Sequence, residues 1–113
     1  SGISAMLPRP TAEELEAQAR RNQRRLAARH AYNRLALSAH QDTGLRMAIG
    51  TLPRLWWALA VDGKLEQHVA EAQAKLETLP PDTRPYERER AQRCCEGLQQ
   101  FNQSFRVALD GVH

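Results

Sequence analysis

Between Ala91 and Val112 the apolar residues Ala91, Cys94, Leu98, Phe101, Phe105, Ala108 and Val112 recur in alternating steps of three and four. That spacing places them on one stripe of an α-helix, whereas a half-buried strand would alternate every second residue. It is the most regular pattern in the chain, and the other segments agree with it. No stretch alternates with period two, and no strand-turn-strand signal is present.

A second helix is marked at the opposite end. Pro8 and Pro10 keep the start of the chain extended, and Thr11 followed by Glu14 forms a capping pattern. Glu13, Glu14 and Glu16 suit the positive end of the helix dipole. From Ala12 to Gln41 neither Gly nor Pro interrupts a run dominated by good helix formers, which predicts one long helix. Its first half, up to Arg25, holds Leu15 as its one large apolar residue, so it is expected to project into water. Its second half, rich in Ala and Leu around Tyr32, can be buried on more than one side.

The middle of the chain reads as shorter pieces. Asp42-Thr43-Gly44 predicts a turn, followed by a short helix from Leu45 to Ile49 that ends near Gly50. Thr51 is expected to cap the next helix, with Pro53 in its first turn and Leu52, Leu55, Trp56, Leu59 and Ala60 on its apolar face. That run stops or kinks at Asp62-Gly63. Leu65, Val69, Ala72, Leu76 and Leu79 then mark an amphipathic helix ended by Pro80-Pro81, and the last helix should start near Pro85 with Asp82 and Thr83 as caps. The simplest assembly is all-α: a small antiparallel helical bundle of three long helices plus one short or kinked element.

At 113 residues there is room for one domain, expected over residues 11–113 behind an extended or disordered segment at 1–10. Ser1 to Ala5, ahead of Met6, read as a cloning remnant and carry no functional weight. The longest unbroken apolar run, Leu55 to Val61, is seven residues, far short of the roughly 20 needed to cross a bilayer. Cys94 and Cys95 are neighbours and cannot form a relaxed disulfide with each other, which points to reduced thiols and a cytoplasmic setting. Cys94 falls on the apolar stripe and is expected in the core, with Cys95 at its margin.

The formal charge of +3 is concentrated at the beginning of the chain. Residues 1–41 carry seven bases against three acids, 42–82 four against six, and 83–113 five against four. Arg20, Arg21, Arg24, Arg25, Arg29 and Arg34 occupy a stretch, Ala17 to Gln41, with no acidic residue. Arg20 with Arg24, and Arg21 with Arg25 and Arg29, are one turn apart, giving two rows of forked donors able to follow a phosphate backbone. The competing reading is a solvated face, or one neutralised within the fold by Glu87, Glu89 or Glu96. Fourteen of the sixteen bases are Arg, a bias that a GC-rich coding genome would also produce. If nucleic acid binds, recognition through the backbone is expected, because aromatic residues for base stacking are few.

Trp56 and Trp57 cannot both face one core, since adjacent helical residues diverge by about 100°. With Leu55 and Leu59 they form a candidate protein-interaction patch, and the stripe of the last helix is a candidate dimer seam. An adaptor, an inhibitor or a homodimer is therefore the alternative to a nucleic-acid-binding accessory protein. His30, His40, His68 and His113 are scattered, with none at ligand spacing, so no metal site is expected. Glycines occur singly, which removes phosphate-cradling loops, and no acid pair or activated thiol is indicated. No enzyme, cofactor, small-molecule substrate or membrane partner is expected. A basic helix lying on a membrane would need large apolar residues opposite its charges, and the projecting half offers only Leu15 and Leu26.

Overall fold

The computed structural model describes residues 8–112, and those residues form five α-helices and no strand. They are α1 (Ala12–Ser38), α2 (Thr43–Thr51), α3 (Trp56–Val61), α4 (Leu65–Glu77) and α5 (Pro85–Asp110), with a short 3-10 turn, Ala39–Gln41, between α1 and α2. No helix among the described residues is long and apolar enough to cross a membrane. Of the expected extended start, residues 8–10 are non-helical and exposed, while 1–7 lie outside the described residues.

Local chemistry accounts for several helix ends. Thr11 caps α1 by accepting a hydrogen bond from the Glu14 N–H at 3.1 Å. Pro85 opens α5 at a position where a missing N–H costs nothing. Gly63, at a φ of 70°, takes the left-handed conformation between α3 and α4 that an L side chain resists. Three expectations are corrected. Asp42 does not begin a turn but caps α2, accepting from the Leu45 N–H at 3.1 Å, so Thr43 and Gly44 lie inside that helix. Thr51 closes α2 rather than capping α3: its hydroxyl donates to the Ala48 carbonyl at 3.0 Å, and α3 starts only at Trp56. Neither Asp82 nor Thr83 caps α5, whose N-cap position is Arg84, without a side-chain hydrogen bond.

α5 is the common partner, packing against each of the other four helices, whereas α1 and α4 do not touch. Residues 41–44 line a cleft with Arg93, Glu96 and Gly97, and Arg24 lines another with Arg106, Leu109 and Asp110, so α1 and α5 run in opposite directions. The fully buried large side chains are Phe101, Phe105, Leu45, Leu65 and Leu98. Tyr32, Trp56, Phe105 and Phe101 close a ring of aromatic contacts joining α1, α3 and α5. Tyr32 stacks on Trp56 at 4.6 Å between centroids, and Trp56 on Phe105 at 5.1 Å.

On α5 the buried residues are Cys95, Gly97, Leu98, Phe101, Phe105 and Leu109, not the full stripe expected. Ala91, Cys94 and Ala108 are half-buried, and Val112 lies beyond the helix end. Ala91 and Cys94 fall within the arc that α5 buries but border a cleft with α4, while the buried set is broader because α5 serves several neighbours. Its buried residues cover roughly 160° of circumference at 100° per residue, wider than a two-helix seam. The placement of the two cysteines is reversed from expectation: Cys95 is buried and Cys94 half-exposed.

Candidate functional site

The basic stretch of α1 straddles the point where the helix leaves the rest of the molecule, with Arg20 and Arg21 on the free half and Arg29 and Arg34 on the half packed against the core. Every residue from Thr11 to Gln23 is exposed, and the first buried residue of α1 is Ala28. Arg20, Arg21, Arg29 and Arg34 are exposed, and Arg24 and Arg25 are half-buried. Helix geometry puts Arg24 in line with the strip Ala28–Ala31–Leu35 that α1 buries, one turn ahead of it, with Arg20 at its edge a turn further out and Arg21, Arg25 and Arg29 drifting away on the other side. Arg34 lies about 20 Å along the axis from Arg20 and stands apart from both rows.

None of the six arginines forms an ion pair or a side-chain hydrogen bond among the described residues. The ion pairs there are Arg93 with Glu89 at 2.8 Å and Arg106 with Glu66 at 3.0 Å. The glutamates considered as internal partners are engaged locally on α5. Glu89 holds Arg93, Glu87 accepts from the Tyr86 hydroxyl, and Glu96 from the Gln92 amide. Their distance from the arginines follows from direction: α5 runs opposite to α1, so its acidic first half lies beside Gln41–Gly44, at the far end from Arg20 to Arg25. Carboxylates do share clefts with the basic rows. Arg24 borders one with Glu66 and Asp110, and Arg21 and Arg25 border another with Asp62, but none pairs with these arginines.

The residues Leu55, Trp56, Trp57 and Leu59 do not make one face. Trp56 enters the aromatic ring and Leu59 packs against the core, while Leu55 stays 57% exposed ahead of α3. Trp57 is half-buried and turned toward α1, where the Arg25 guanidinium carbon sits 3.9 Å from its ring centroid. The seam of α5 is likewise consumed inside the molecule, with Leu98, Phe101 and Phe105 all buried.

A further cleft lies between α4 and α5. It is lined by His68, Lys75, Leu76, Cys94, Cys95 and Leu98 among others, with a volume of about 340 Å³. His68 Nε2 is buried there without a hydrogen-bond partner, and the Thr51 hydroxyl lies 3.5 Å from Cys94 Sγ. Burial, then the neighbouring Cys94 and Glu96, pushes the Cys95 thiol above its ordinary range. Ala72, Leu76, Leu79, Ala91, Cys94 and Leu98 of its lining lie on the two apolar stripes read from the sequence, but their meeting with Thr51 and His68 around a cleft depends on how three helices pack. Among the described residues no group of three or more His, Cys, Asp or Glu is placed to hold a metal ion, and His113 lies outside them.

Compared with known protein families, curated proteins and solved structures, the chain shows no significant match.

Proposed function

We propose that this chain is a non-catalytic accessory protein that holds an acidic macromolecular partner, nucleic acid backbone, on the arginine rows of α1. The observation that carries the reading is the absence of any internal carboxylate partner for Arg20, Arg21, Arg24, Arg25, Arg29 and Arg34 among the described residues. Guanidinium groups massed along one helix repel one another, and an external row of phosphates relieves that repulsion while releasing counterions. The setting we propose is cytoplasmic. We read the architecture as an antiparallel assembly of three long helices, α1, α4 and α5, with α2 and α3 as the short elements.

The test is a titration of a generic duplex and a generic single strand at low and at physiological salt. Binding that weakens steeply with salt is expected, with each Arg→Gln change in Arg20, Arg21, Arg24 or Arg25 reducing the log–log salt slope by about 1. No binding at low salt removes the proposal.

A second reading, a protein-interaction module, is favoured by Leu15, Leu26, Leu37 and Leu55, each more than half exposed. Light scattering separates the two: a strict monomer argues against self-association, and a dimer that loses its partner contact on Leu55→Ser argues for it.

A further inference from the structure

We propose that Trp57 and Arg25 form a base-stacking position, so that the partner of the α1 arginines is single-stranded nucleic acid. The inference rests on the arginine reading above and adds a substrate class to it. Its starting point is a cleft of about 420 Å³ between α1 and α3, lined by Arg21, Arg25, Trp57, Ala58, Val61 and Asp62. Three chemistries needed for one nucleotide meet there: a flat aromatic face, forked donors for phosphate, and a carboxylate able to accept from a base N–H such as thymine N3–H.

The chain builds this cleft through a simple geometric consequence. Trp56 is committed to the stack between Tyr32 and Phe105, and the next residue on α3 is turned by about 100°. That rotation aims Trp57 at the row Arg21–Arg25 instead of at the core. With no ligand present, the Arg25 guanidinium lies over the indole at 3.9 Å. An unpaired base stacks on indole more strongly than a solvated guanidinium does, so the base takes the ring face and Arg25 swings to the adjoining phosphate. Arg21, one turn away on the same side, holds the next phosphate along the strand.

The cleft discriminates by accessibility of the base. In a duplex both faces of each base are covered by neighbours, so only the phosphates can meet α1. In a single strand a base turns out at little cost and reaches the indole.

The experiment uses the full chain with oligothymidylate of about 12 nucleotides, a length within the footprint of small single-strand binders, and a duplex of equal length. The chain holds two tryptophans, and Trp56 is enclosed between rings, so quenching of emission on binding reports Trp57. Expected are quenching by the single strand and not by the duplex, and single-strand affinity lowered roughly tenfold by Trp57→Leu, which fills the space without a flat π-face. Trp57→Phe restores most of that loss, and neither change alters duplex affinity or its salt slope. Binding of both nucleic acids with no quenching, or with Trp57→Leu indistinguishable from the parent, overturns the stacking site and leaves the arginine reading standing. No binding of either at low salt overturns both. Should Trp57→Leu fail to fold by circular dichroism, the quenching contrast in the unaltered chain decides alone.

Discussion

At the scale of single residues, two adjacent pairs carry most of what the sequence left ambiguous. Cys94 and Cys95 have identical chemistry and differ only in azimuth, and so do Trp56 and Trp57. Cys94 lies near the middle of the arc that α5 buries, as its three-four stripe predicts, but it borders the cleft with α4 and stays half-exposed, whereas Cys95 at the edge of that arc is buried. Reactivity follows from this. The Cys95 thiol is buried and its ionisation is suppressed by that burial and by Cys94 and Glu96, so little thiolate is present near neutrality. Alkylation under native conditions at about pH 8 should therefore modify Cys94 first, with Cys95 reacting only after unfolding, as read by peptide mass spectrometry. Equal rates would mean that Cys95 is as accessible as Cys94 in the native fold.

At the scale of elements, the contact between α2 and α5 depends on two glycines. A Cβ on Gly97 would collide with the Gly44 backbone and approach the Ala48 side chain to 2.9 Å, and one on Gly44 would lie 2.8 Å from the Arg93 carbonyl oxygen. Backbone is not easily displaced, so Gly97→Ala should destabilise the fold by about 1–3 kcal/mol despite the better helix propensity of alanine. Gly50, also in α2 but with nothing within 4 Å of its would-be Cβ, is the control. Gly50→Ala should be neutral or stabilising by up to about 1 kcal/mol, and denaturant titration of both variants checks the contrast. Element boundaries were legible where a cap or a proline acts locally, as at Thr11, Pro80-Pro81 and Pro85. They were misread at Asp42 and Thr51, because an Asp before Thr-Gly starts a turn and a helix with the same side-chain hydrogen bond, and a Thr can end one helix as readily as begin another.

At the scale of the whole molecule, the chain is elongated. Its extents are 67 × 26 × 23 Å, and its radius of gyration is 18.8 Å, against about 13 Å for a compact domain of this length. The exposed first half of α1 accounts for much of that length, and it carries Arg20 and Arg21. A helix segment of about a dozen residues without tertiary support is marginal in water. Hydrogen exchange should therefore be fast for amides from Ala17 to Gln23 and slow from Ala28 to Leu35, where α1 packs on the core. Uniform protection along α1 would show that its first half has a partner, and protection gained on adding a single strand would locate that partner on the arginines.

The helical class, the limits of the long helices and the acid-free run of arginines could all be read from the residues in order. Each depends on propensity, capping or composition acting over about one turn. Which of two neighbouring side chains turns inward, and which distant charges come near one another, could not be read that way. Those outcomes depend on the direction and rotation of each helix relative to α5, and packing between elements sets both. The opposed run of α1 and α5 leaves the arginines away from Glu87, Glu89 and Glu96, and the rotation of α3 lays Trp57 against Arg25.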